Sequence, residues 1–236
     1  MSGRDSRSLA VVLDRAENLH YPAGTLAKGG WTAIQTATRV STLAQAAVPR
    51  GGLLRDALLV VGFSLLTALC ARIVIPLPFT PVPITGQTFA VLLTGAALGA
   101  RRGAAAMGLY VLEGLVGLPV FAGGASGLAR LLGPTGGYLL GYIAAAYLTG
   151  TLAERGWDRS IRWAAAAMAA GNVVVYLFGV PWLALVPRAI GGVPLGWDKA
   201  VTLGLLPFIP GDLLKLTAAA LALPGAWALL RRGEVR

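Results

Sequence analysis

Four ionisable side chains stand inside otherwise apolar stretches: Arg72, Glu113, Asp212 and Lys215. A charge surrounded by hydrocarbon is costly, about 2.5–3.5 kcal/mol on insertion scales, so such groups mostly face a cavity or one another. Asp212 and Lys215 are three residues apart, which places them on nearly one face of a helix. The pair can offer an acceptor and a donor to a polar ligand, or it can neutralise itself and bind nothing. Pro207, Pro210 and Gly211, in "PFIPGD", come just before the pair, interrupt the helix there and free backbone groups. At membrane depth that is tolerated only beside protein or a water-filled site, and broken helices with adjacent charges recur at transporter binding sites. Glu113 stands alone, with no nucleophile near it in sequence. As a base it would imply an intramembrane enzyme; packing against another helix is the alternative.

Familiar catalytic and metal chemistry finds no residues here. The chain has one histidine, His20, and one cysteine, Cys70, which exclude a disulfide framework and argue against a Cys/His metal site. No H-E-x-x-H or Ser/His/Asp set occurs, and "GPTGG" lacks the lysine of a nucleotide loop. No catalytic residue, metal or cofactor is therefore expected, and binding or transport fits better. The net charge of +10 does not point to nucleic acid, because the basic residues punctuate apolar stretches instead of clustering with aromatics on a polar face.

The elements that must position these residues are membrane helices. Of 236 residues, 56% are hydrophobic and 13% charged, with a mean hydropathy of +0.70; a soluble domain carries about 25% charged residues. No short apolar run with a small-residue cleavage site opens the chain, so a cleaved leader is not expected. Residues 1–52 mix charge, glycine and proline and are read as a cytoplasmic tail, partly disordered. Residues 53–236 hold six apolar segments: Leu53–Ile75, Gln87–Ala100, Gly103–Phe121, Tyr138–Leu152, Ile161–Val186 and Val201–Leu230. The expected fold is an all-α integral membrane protein, a six-transmembrane-helix bundle whose long outer loops form a lid. With the N-terminus inside, the inner flanks hold Arg50, Arg55, Arg101, Arg102, Arg155, Arg159, Arg162, Arg231, Arg232 and Arg236; the outer loops hold Arg130, Arg188 and Lys199. That asymmetry predicts both termini in the cytoplasm.

Two outer loops stand out. "IPLPFTPVPITGQT" has four prolines and no charge, so it is stiff and extended. The loop before Tyr138 is glycine-rich, carries Gly127, Arg130 and Thr135, and runs about 16 residues where a helix reversal usually takes 2–8. It reads as a mobile lid over an outward-facing pocket. An ordinary helix reversal or glycine-mediated packing is the plainer account.

In chain order, "PVPITGQTFAVLLTGAALGARRGA", "GLPVFAGGASGLARLLGPTGGYLLGY", "VYLFGVPWLA" and "PFIPGDLLKLTAAA" resemble the BioY family, the membrane-embedded biotin-binding S components of energy-coupling factor (ECF) transporters. The likeness spans about Leu53 to Arg231. It implies a biotin site near the outer surface of a six-helix bundle, and a substrate-binding subunit of an ATP-driven importer in a prokaryotic cell membrane. It also implies partners: a transmembrane coupling subunit and two ATPase subunits, with this chain itself no enzyme. The family's Asp-x-x-Lys pattern is matched by Asp212 and Lys215. Around them the expected biotin-binding set is Gln87, Gly127, Arg130, Thr135, Tyr138, Asn172, Tyr176 and Trp182, with Arg130 the cation for the valerate. Docking in such systems uses small residues on the first helix, commonly Ala-x-x-x-Ala; here the nearest matches are Ser64 with Ala68 and Thr67 with Ala71. A stand-alone biotin transporter or facilitator, and an S component for another vitamin, remain alternatives.

Overall fold

The structure, a computed structural model, describes residues 42–48, 52–186 and 194–233. Its helices are α1 (Leu43–Ala47), α2 (Leu53–Cys70), α3 (Gln87–Leu98), α4 (Ala100–Leu115), α5 (Leu128–Leu131), α6 (Gly136–Glu154), α7 (Ile161–Leu185), α8 (Trp197–Gly204) and α9 (Ile209–Gly233). Short 3-10 turns cover Ala122–Gly124, Trp157–Arg159 and Leu206–Phe208. A two-residue antiparallel pair, β1 (Val74–Ile75) with β2 (Ile84–Thr85), brackets the proline-rich loop.

Small residues set the packing. α6 lies against α7, α3 and α4, and Thr149 at its middle is fully buried. Around Thr149 the neighbouring helices carry glycine: a Cβ on Gly95 would stand 2.1 Å from its Oγ1, and one on Gly171 2.4 Å from its Cγ2. Backbones approach this closely only where side chains are absent, the usual device for joining helices when hydrocarbon surrounds them. Large apolar side chains point outward instead: Leu54, Leu58, Val61, Leu65 and Leu69 form one exposed face of α2.

Three runs are long and apolar enough to cross a membrane among the described residues: Leu53–Cys70, Ile161–Leu185 and Trp197–Leu230. The helix ends differ from the sequence expectation in physically readable ways. α2 stops at Cys70, not Ile75, because Val74–Ile75 enter β pairing and Pro76 follows. α4 begins at Ala100, so Arg101 and Arg102 lie inside it, and ends at Leu115 before the left-handed Gly117 (φ 101°). The interruption near "PFIPGD" falls at Gly204–Phe208. Pro210 then sits in the first turn of α9, where a missing N–H breaks no helical bond. Residues 42–48, assigned from sequence to the tail, form a helix with a Thr42/Gln45 capping box, and Leu43 and Ala44 are buried. Residues 1–41, Arg50, Arg188, Arg236 and the side chains of Arg231 and Arg232 lie outside the described residues.

The charges segregate. Arg102 Nη1 meets Asp56 Oδ1 at 3.2 Å, Arg55 donates to the Ala44 carbonyl, and Ala100 N–H donates to Glu154 Oε1 at 2.9 Å. At this same end, Asp158 accepts from Trp227 Nε1 at 2.6 Å and Arg159 stacks over the Trp227 ring. The opposite end carries the starts of α3, α6 and α9, and there a cavity opens.

Candidate functional site

Asp212, in the first turn of α9, is the centre of the cavity's polar wall. Its Oδ2 accepts from Asn172 Nδ2 at 2.9 Å and from the Tyr176 hydroxyl, both on α7. Its Oδ1 accepts from Lys215 Nζ at 3.3 Å, and Lys215 also donates to Thr88 Oγ1 at 2.9 Å. An ionised carboxylate has about four lone-pair positions. Three are occupied here, which leaves one acceptor on Oδ1. Five buried or half-buried side chains from three helices thus hold each other in place before any ligand arrives.

The cavity and its open mouth together span about 590 Å³. Apolar and aromatic groups make most of it: Val82, Phe121, Tyr138, Leu139, Tyr142, Val175, Tyr176 and Phe208. Tyr138 and Tyr176 meet edge to face with ring centroids 6.3 Å apart. Tyr138 reaches past the cavity to donate to the Gly204 carbonyl at 2.7 Å, capping the end of α8. Thr80 does the same for Leu203 at 2.6 Å, tying the proline-rich loop to that helix end. Arg130, on α5, is half-buried and lines the cavity; among the described residues it has no ion-pair partner. With Asp212 and Lys215 offsetting each other, the cavity carries one net positive charge.

The loop before α6 is fastened at its base. Arg72 Nη2 donates to the Pro119 carbonyl at 2.8 Å, the Tyr110 hydroxyl to Val120 at 2.9 Å, and Gly123 N–H to Ala71 at 3.1 Å. Gly127, at φ 85°, donates its N–H to Gly114 at 2.7 Å. Phe121 packs into the notch left by Gly114, where a Cβ would come within 2.0 Å of the ring. This loop therefore has a fixed root, not the free length its composition suggested.

Of the residues chosen from sequence, Gln87, Arg130, Thr135, Tyr138, Tyr176, Asp212 and Lys215 line the cavity together. Three do not. Asn172 stands behind Asp212 and orients it. Trp182 turns its Nε1–H onto the Gly133 carbonyl at 3.0 Å and packs over Gly137. Gly127 shapes the loop's turn. Of the residues chosen for docking, Ser64, Thr67 and Ala71 are completely buried against this chain's own helices and Ala68 is half-buried. Ser64 Oγ lies 3.0 Å from Glu113 Oε1, which places Glu113 at the α2–α4 contact and not on the cavity.

Sequence reading missed Thr85, Thr88 and Tyr142 among the lining residues. A signal existed for two of them. Thr85 precedes Gln87 by two residues at a helix start, the spacing at which a hydroxyl accepts a backbone N–H, and Tyr142 follows Tyr138 by one helical turn.

Comparison with known proteins finds relatives over most of the chain. The model of the BioY family matches residues 36–232. The biotin transporter BioY of Rhizobium etli is 43% identical over 171 residues, covering 66% of this chain and 88% of that one. That of Thermotoga maritima is 42% identical over 147 residues, covering 62% and 82%. The crystal structure of the S-component for biotin from an ECF-type ABC transporter superposes with a TM-score of 0.61 at 24% identity, over 78% of this chain and 92% of that one, a likeness of fold.

Proposed function

This chain belongs to the BioY family, and we propose that it is the biotin-binding, substrate-specific subunit of an ATP-driven vitamin importer in a prokaryotic cell membrane. The observation that carries the reading is the preformed Asp212–Lys215–Asn172–Tyr176 network in an aromatic cavity with Arg130 at its wall. Biotin's ureido group brings two N–H donors and a carbonyl acceptor, its fused rings are apolar, and its valerate is anionic. Asp212 Oδ1 takes a ureido N–H, Lys215 donates to an oxygen, the tyrosines flank the rings and Arg130 holds the carboxylate. Nanomolar binding corresponds to about −12 kcal/mol. Over roughly 16 heavy atoms that is about −0.8 each, within the ceiling of about −1.5 for efficient small ligands.

In this reading α2, α3, α4, α6, α7 and α9 cross the bilayer, the cavity faces outward, and the Arg-rich end with both termini lies in the cytoplasm. The fastened loop closes over bound biotin, and the chain delivers it inward by docking on a transmembrane coupling subunit that carries two ATPase subunits. The relatives' names as transporters support this, as does the dearth of catalytic residues in the sequence. Calorimetric titration of the purified protein in detergent tests the ligand: saturable binding of biotin, uncompeted by other vitamins, is expected. Displacement of biotin by another vitamin would reassign the cargo. Uptake in cells that lack the ATPase subunits would make the chain a transporter in its own right.

A further inference from the structure

We propose that Thr85 determines specificity in the cavity: its hydroxyl oxygen is locked as an acceptor for a ligand N–H by a one-way hydrogen-bond relay that runs through Gln87 and Tyr110 to the Val120 carbonyl. The proposal rests on the biotin reading, since the N–H is one of the two in the ureido group.

The relay has only one consistent direction. A backbone carbonyl only accepts, so the Tyr110 hydroxyl, fully buried and 2.9 Å from Val120 O, commits its single proton there. The Tyr110 oxygen can then only accept from Gln87, which must turn its Nε2 toward it. Gln87 Oε1 is thereby presented to Thr85 Oγ1 at 3.0 Å, and an amide oxygen only accepts, so the Thr85 proton is spent on it. Thr85 Oγ1 also accepts the Gln87 backbone N–H at 3.4 Å. One lone pair remains on Thr85, which lines the cavity beside the Tyr142 hydroxyl, the neighbour a ligand N–H must displace from it.

Hydroxyls ordinarily rotate to suit either a donor or an acceptor. Here the choice is made three groups away, in the root of the loop before α6. Thr85, Gln87 and Tyr110 are all buried, so no water competes to relax the order, and aligned bonds in such a chain polarise one another. The cavity thus holds two single-lone-pair acceptors, Thr85 Oγ1 and Asp212 Oδ1, matched in number to the two ureido N–H groups. Tyr110 touches no ligand and is a positioning residue.

The test uses the full chain in detergent, titrated with biotin and with two cyclic carbamates, each replacing one ureido N–H by a ring oxygen. Wild-type protein should bind at least one carbamate about tenfold more weakly or worse, since an oxygen there faces a lone pair. Thr85→Val should weaken biotin about tenfold and leave that carbamate unchanged, collapsing the preference, and Thr85→Ser should restore it. Tyr110→Phe removes the proton's destination, frees Gln87 to turn and lets Thr85 donate; affinity for the sensitive carbamate should rise while that for biotin falls. Should Thr85→Val fail to fold, Thr85→Ser and Tyr110→Phe carry the test, and an unaltered preference in Tyr110→Phe overturns the relay. So does a Thr85→Val protein with wild-type affinity, or a wild type indifferent to both carbamates. Absence of biotin binding by the wild type would instead refute the biotin reading itself.

Discussion

Replacing Asp212 by asparagine changes one atom type and little volume, which makes its consequences calculable. Two donors, Asn172 and Tyr176, converge on Oδ2, and one, Lys215, on Oδ1 at 3.3 Å. The new amide has one accepting oxygen, so it settles toward Asn172 and Tyr176 and turns its NH2 on the Lys215 ammonium, donor against donor. The ion pair is lost, and with it the one free acceptor offered to the ligand. A hydrogen bond to a charged group contributes about 1.5–3 kcal/mol, which corresponds to a loss of about 10- to 150-fold in biotin affinity. Breaking a fully buried pair costs about 3–5 kcal/mol of stability. The Asp212 and Lys215 side chains are 6% and 18% exposed, and Lys215 keeps Thr88, so the variant should fold with a lowered melting temperature. Titration calorimetry reads the affinity and a detergent melt reads the fold. A folded variant within threefold of wild type would remove Asp212 from the site. The double variant with Lys215→Met separates causes: recovery of wild-type affinity would trace the loss to a stranded ammonium and refute direct contact with the ligand.

Arg130→Met should weaken biotin about tenfold and leave biotinamide, which lacks the carboxylate, unchanged in the same titration; equal losses for both would refute the anion subsite. Asp158, in the turn between α6 and α7, is buried, and burial pushes its carboxyl above the usual range while the Trp227 N–H and the Arg159 cation pull it back. A raised folded value means its stabilisation is complete below the unfolded carboxylate range and is lost as pH rises through the folded one. Asp158→Asn, which keeps an acceptor for Trp227, should therefore gain melting temperature over wild type as pH goes from about 4 to about 8; a difference that does not change with pH would refute this.

Legibility in the sequence followed the length scale of the signal. Apolar runs placed the long helices to within a few residues, because lipid and buried protein demand the same hydrocarbon over many positions. Asp212 and Lys215 were legible because charge in such a run is rare. The failures were failures of direction. Ser64 and Thr67 are small enough for a close contact, but nothing local says whether the contact is with another protein or with Glu113, Met107 and their helix. Asn172 and Trp182 have the right chemistry at the right depth, yet each is spent on this chain's own groups. Composition also misread the glycine-rich loop: its tethers come from Arg72, Tyr110, Ala71 and Gly114, all earlier in the chain, and only tertiary structure brings them to it.

The three runs that are apolar enough to enter lipid unaided, α2, α7 and α8–α9, are separated in the chain by helices that fall short in length or hydropathy. α6, the helix with glycine and threonine at its closest contacts, touches α3, α4 and α7. Such a helix gains little from lipid and much from its neighbours, so its place in the bundle rests on close packing of small residues and not on its own hydropathy.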